Sequence, residues 1–135
     1  STRVRSSAAS DVYKRQDLKA THYAIADTGV ATVPTVPYET YGTPELADEV
    51  RKCLRESDSK ALLMANHGMV AYGDSLEKAF AIANTCEWCA QVQWRAMAIS
   101  TPNVLSDEQM AEVIEHYKTY GQAKEDGKQS QGYFG

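Results

Sequence analysis

Apolar positions recur at three- and four-residue steps in three stretches of the chain, and the breaks between them fall at glycine, proline or a capping residue. The longest series is Leu76, Ala79, Phe80, Ala83, Cys86, Ala90, Trp94 and Met97. It predicts one helix reaching about Ser100, capped by Asp74 with Glu77 as its reciprocal partner and stopped by Pro102. Leu46, Val50, Cys53 and Leu54 share a face of an earlier amphipathic helix. Thr43 is its expected cap, Pro44 takes the first helical position and Glu45 places a carboxylate in the first turn. A last helix opens at Ser106, boxed by Gln109, turns Met110, Val113, Ile114 and Tyr117 inward and ends at Gly121.

Between these lie shorter signals. Thr21 to Thr28 reads as a short helix or helical turn closed by Gly29, a residue suited to a left-handed C-terminal position. Val30 to Val36 reads as a strand whose Pro34 cannot donate to a ladder, which predicts an edge position. Lys60 to Ala65 and Met69 to Tyr72 read as two short strands joined at Asn66-His67-Gly68. The order is helix, strand, helix, two strands, two helices, an α/β pattern with no internal repeat and no glycine-rich phosphate loop.

Composition narrows the function classes. A chain of 135 residues with 43% hydrophobic content suits one modest globular core. No apolar run reaches the length of a membrane span and none reads as a secretion signal, so a cytoplasmic protein away from membranes is expected. A formal charge of -4 argues against a nucleic-acid partner, which would need a clustered basic surface. Three cysteines, an odd count, do not make an extracellular disulfide framework. Cys86 and Cys89 have redox-motif spacing but fall inside a helix rather than at its N-terminus, so both are expected to be structural thiols.

His67 is the strongest candidate for chemistry. It stands where an apolar strand ends and Gly68 lets the chain turn, so one ring nitrogen is free to face a cleft as a metal ligand or acid/base group. By itself such a histidine is more often a satisfied turn residue. The surrounding motifs change that weighting: His22-Tyr23, Pro37-Tyr38-Glu39-Thr40-Tyr41-Gly42-Thr43, Asn66-His67-Gly68, Ser75-Leu76-Glu77-Lys78-Ala79, Val104-Leu105-Ser106-Asp107-Glu108 and Lys118-Thr119-Tyr120-Gly121. In this order and spacing the segment from Thr21 to Gly121 resembles the C-terminal half of the class II aldolase/adducin family.

The resemblance implies a fragment of an α/β sandwich with a mixed, largely antiparallel sheet flanked by helices. It implies a zinc-dependent carbon–carbon lyase cleaving a ketose 1-phosphate such as L-fuculose 1-phosphate to dihydroxyacetone phosphate and lactaldehyde, in a homotetramer with sites between subunits. His67 matches the third of three metal-binding histidines. The other two, a His-x-His pair, and the proton-shuttling glutamate belong to a half of the domain with no counterpart here, and neither His22 nor His116 has the spacing to replace them. Tyr23 matches a tyrosine that reaches a neighbouring subunit's site and protonates the aldehyde oxygen, and Tyr120 one that closes over the site. The resemblance places Tyr41 where a similar member of the family has a phenylalanine lining the aldehyde pocket. Two alternatives remain: a sugar-phosphate epimerase or dehydratase of the same superfamily, and a non-catalytic adducin-like assembly module, against which retention of His67 speaks.

The beginning of the chain reads differently. Ser6 to Gln16 looks like the translation of a transposase-type sequencing-library adapter. Residues 1–16 are therefore expected to be non-native and disordered, residues 17–121 to be the C-terminal half of the domain, and residues 122–135 to be a polar disordered tail. A chain so truncated is expected to be inactive.

Overall fold

The computed structural model describes residues 16–122, the last three by their helical backbone alone. The adapter-like segment up to residue 15 and the polar tail from residue 123 lie outside the described residues. In chain order the elements are β1 (Leu18–Lys19), a 3-10 helix (Tyr23–Thr28), β2 (Thr32–Val33), β3 (Thr35–Val36), α1 (Pro44–Glu56), β4 (Ala61–Met64), β5 (Gly68–Ala71), α2 (Leu76–Ile99) and α3 (Asp107–Gln122). The result is an α/β fold with mixed strand pairing and helices packed on the sheet.

The single strand expected over Val30 to Val36 is two strands that serve different sheets. β2 pairs antiparallel with β1, and β3 pairs parallel with β4. Pro34 sits at the division. It lacks an N–H, yet its carbonyl accepts from the Leu63 N–H at 2.9 Å, so the chain changes partners where a ladder donor is missing. Strand β1 had no sequence expectation, since two residues carry too little pattern, but Leu18 and Ala20 are both buried.

β4 is the middle strand of β3-β4-β5, paired antiparallel with β5. Its Ala61, Leu62 and Leu63 are all buried, as befits a strand covered on both faces. Leu63 joins Ile82, Cys86 and Met110 in the main core. Leu62 and Val36 are buried outside that cluster, and α1 packs against the two strands that carry them. The β3–α1–β4 connection is the helical crossover that a parallel pair demands.

Three helix ends behave as the residues dictate. Thr43 caps α1 by accepting from the Leu46 N–H, with Pro44 behind it. Ser106 and Gln109 form a reciprocal box, Ser106 N–H donating to Gln109 Oε1 at 2.9 Å and Gln109 N–H to Ser106 Oγ at 3.2 Å. Gly29 ends the 3-10 helix at φ +84°, where a side chain would be strained.

Two expectations for α2 need correction. Its cap is Ser75, which accepts from the Lys78 N–H at 3.2 Å, while Asp74 pairs with the Lys78 ammonium at 3.1 Å. Glu77 thus falls one position short of a capping-box partner. The buried face is also rotated: Ile82, Cys86, Cys89 and Ala90 are inside, whereas Leu76 is 86% exposed, and Phe80, Trp94 and Met97 are exposed as well. The cause is tertiary. β1 and the 3-10 helix lie along the Ile82–Cys89 flank, and Gln93 on that flank accepts from the Lys19 N–H at 2.8 Å.

Burial settles the character of the thiols. It pushes Cys86 up to about 12, with the neighbouring Cys89 and Glu87 adding to the effect. Cys89 is pushed up to about 11 by burial and then by Asp27. These are inert core thiols rather than a redox pair. Both raised values stabilise the folded state fully below the ordinary thiol value of 9.0, and that stabilisation is lost as pH rises from there toward 11 and 12. At pH 8 neither thiol is expected to react with iodoacetamide on the timescale of its reaction with the denatured chain. Mass spectrometry of pulse-alkylated protein checks this, and equal native and denatured labelling would contradict it.

Candidate active site

His67 lies in the three-residue connection between β4 and β5, closed by the Met64–Gly68 pair. Two unusual backbone positions flank it. Asn66 adopts φ +62°, tolerable for asparagine, and Gly68 φ +145°, which favours glycine. The turn lifts the imidazole into solvent while the His67 N–H bonds back to the Met64 carbonyl at 2.9 Å.

The side chain is nevertheless oriented. His67 Nε2 lies 3.0 Å from the Glu39 carbonyl oxygen, and because a carbonyl only accepts, the ring donates from Nε2, which leaves Nδ1 as the acceptor of the neutral tautomer. The Tyr38 ring stands beside it, centroids 5.8 Å apart and tilted by 36°. Tyr38 and Glu39 follow β3 after Pro37, and the parallel β3–β4 pairing carries them past the hairpin end. Sequence reasoning gave neither residue a role; Tyr38 and Glu39 appeared only as part of a matching segment. Farther along, Tyr41 is 80% exposed in the turn before α1.

Tyr23 belongs to a different neighbourhood. It begins the 3-10 helix, is 53% exposed, and stacks on His22 with centroids 4.6 Å apart. His22 meets Trp88 of α2 edge to face at 4.5 Å. Tyr117 of α3 completes the group; burial raises its phenol above the ordinary value, with smaller contributions from Asp27, Tyr23 and Cys89. Among the described residues, the ring contact of Tyr23 is with His22 and that of His67 is with Tyr38. Tyr120 lies on α3, and its side chain is outside the described residues. His116 is exposed on the same helix and has no part in either group.

This order of segments around a His-Gly turn meets an independent match. The family model described as the class II aldolase and adducin N-terminal domain matches residues 3–94, more than half of the chain. The chain belongs to the class II aldolase and adducin family.

Its relatives within that family are informative. An L-fuculose phosphate aldolase of Escherichia coli (strain K12) is 42% identical over 107 residues, covering 78% of this chain and 49% of the relative. A 5-methylthioribulose-1-phosphate/5-deoxyribulose-1-phosphate aldolase of Escherichia coli O45:K1 (strain S88 / ExPEC) is also 42% identical, over 106 residues covering 77% and 48%. A solved L-fuculose 1-phosphate aldolase superposes with a TM-score of 0.77 at 36% identity, covering 83% of this chain and 52% of that one. The chain thus spans about half the length of the curated relatives it matches.

As a class II family member the chain can be tested for fit to a metal. His67 has one ring nitrogen tied to a backbone carbonyl, an orienting contact of the kind metal-binding histidines use. Among the described residues no group of three or more histidine, cysteine, aspartate or glutamate side chains could hold a metal ion. The described part therefore does not contain a complete metal site.

Proposed function

We propose that this chain is part of a metal-dependent aldolase, a carbon–carbon lyase acting on a ketose 1-phosphate, with L-fuculose 1-phosphate cleaved to dihydroxyacetone phosphate and lactaldehyde as the leading case. The observation that carries the reading is His67, oriented through Glu39 at the tip of a hairpin in a chain of this family. Zinc is the proposed metal; bound, it supplies positive charge to the oxyanion that forms as the carbon–carbon bond breaks. His67 would be one of its ligands, and the remaining ligands and the proton-shuttling carboxylate would come from residues outside those described.

Three tyrosines have proposed roles. Tyr23 donates a proton to the aldehyde oxygen in a neighbouring subunit's site, a role supported by its exposure and by its packing on His22, whereas His67 packs beside Tyr38. Tyr41 lines the aldehyde pocket, where its hydroxyl adds a polar group to an aromatic wall. Tyr120 closes over the site from α3. A homotetramer in the cytoplasm is the proposed state, and exposed Leu76, Phe80 and Trp94 on α2 are consistent with further protein covering that helix. No helix of the described residues is long and apolar enough to cross a membrane.

The two curated relatives are aldolases of different phosphorylated sugars at the same identity, so likeness alone does not choose between fuculose and deoxyribulose-type substrates. The test is release of dihydroxyacetone phosphate from L-fuculose 1-phosphate and from 5-deoxyribulose 1-phosphate by the protein carrying the complete domain. Turnover of at least one substrate is expected, abolished by a chelator and restored by zinc. Chelator-resistant cleavage would remove the metal from the reading, and zinc binding without cleavage of either would remove the aldolase. The 135-residue chain alone is expected to be inactive, since one imidazole does not hold zinc with useful affinity.

A further inference from the structure

We propose that His22 is a positioning residue for Tyr23, joining the exposed phenol to the rigid body of α2. The proposal rests on the reading of Tyr23 as the proton donor, and it concerns how that phenol is held. Tyr23 is 53% exposed, and an exposed aromatic side chain ordinarily exchanges between rotamers on the nanosecond scale. A donor that must meet a developing oxyanion is effective only when held near one geometry.

His22 provides that restraint through three contacts. Its backbone is extended, at φ -148° and ψ 141°, and it caps the 3-10 helix: Nδ1 accepts from the Ala24 N–H at 3.1 Å. The same ring stacks on Tyr23 at 4.6 Å with an interplanar angle of 29°. Its edge relation to Trp88, at 4.5 Å and 88°, ties it to α2 between the buried Cys86 and Cys89. The cap sets the orientation of the imidazole, the imidazole sets the face against which Tyr23 rests, and Trp88 blocks its retreat.

The choice of residue is itself informative. Serine, aspartate or asparagine would cap a helix start at least as well. What histidine adds is a planar ring whose tautomer is dictated by the cap. With Nδ1 accepting, the neutral ring carries its proton on Nε2.

Two substitutions in the full-length protein separate these functions. His22→Asn keeps a cap acceptor and removes the ring, whereas His22→Phe keeps a ring and removes the acceptor. Each is expected to lower kcat about tenfold with KM within about twofold, because the substrate contacts remain while the donor is misplaced. In a Tyr23→Phe background neither should lower kcat further, since there is no phenolic proton left to position. If Tyr23→Phe alone leaves kcat unchanged, the donor reading falls and the proposal with it. If Tyr23→Phe lowers kcat but the His22 variants do not, or lower it equally in both backgrounds, the donor reading stands and positioning by His22 is overturned. Should His22→Phe fail to fold, the cap-retaining His22→Asn decides. Long-range proton–nitrogen NMR supplies a readout independent of turnover. The Nε2–H tautomer of His22 is expected, and a Nδ1–H tautomer would overturn the proposal.

Discussion

Replacing His67 by alanine in the full-length protein is expected to abolish aldolase turnover, by a thousandfold or more on the order-of-magnitude scale of losing a principal electrostatic contact to the transition state. The expectation follows from geometry as well as family membership. The imidazole is held by the Glu39 carbonyl, and its other nitrogen is presented by a turn in which Asn66 and Gly68 both take positive φ. Alanine removes the proposed ligand atom while leaving those backbone angles in place. Because the side chain is exposed, little stability should be lost, and thermal unfolding of the metal-free protein should be nearly unchanged. Bound zinc per subunit, measured by atomic emission, should fall with the activity. Retained zinc and retained turnover would show that His67 is an ordinary turn residue and would remove the observation on which the proposed function rests.

The parts of this fold legible in sequence are those decided locally. Thr43, Gly29 and the Ser106–Gln109 box announce helix ends because their side chains, or the lack of one, satisfy backbone groups a few residues away. The start of α2 shows the limit of such reading. Asp74 and Ser75 are adjacent and both can cap, and only the bond from Lys78 selects the serine. The face of α2 was less legible still. Apolar residues occupy much of its circumference, so the period identifies a helix without saying which flank meets β1 and the 3-10 helix.

The candidate site divides along the same line. His67 could be found because it interrupts an apolar run just before a glycine. Tyr38 and Glu39 could not be tied to it, since they lie 28 or more positions upstream and reach it only through the parallel β3–β4 pairing across α1. The same pairing depends on Pro34, whose effect reads locally as an edge signal but acts in the fold as a change of sheet. Sequence pattern registers that a ladder donor is missing; it does not register which strand occupies the other side.

Tyr23→Phe is expected to lower kcat by roughly a hundredfold or more, the contribution typical of a positioned general acid, with little change in KM. The substitution removes a single hydroxyl from a half-exposed ring, so the stack on His22 survives and the melting temperature should hold. Tyr117 nearby is a poor substitute donor, because burial raises its phenol and ties the proton more firmly to it. The decisive feature is that, among the described residues, Tyr23 packs on His22 whereas His67 packs beside Tyr38. If the tyrosine serves a neighbouring subunit, two inactive proteins should repair each other: a hybrid oligomer can join His67 of a Tyr23→Phe subunit to Tyr23 of a His67→Ala subunit. Random assembly from equal amounts would rebuild about a quarter of the sites in a symmetric ring. Mixed and reassembled variants should therefore recover a substantial fraction of wild-type turnover, measured as dihydroxyacetone phosphate release, although each is nearly silent alone. Recovery no greater than the sum of the parents, in samples shown by native mass spectrometry to contain hybrids, would place Tyr23 outside any shared site and return it to the exposed surface of the 3-10 helix.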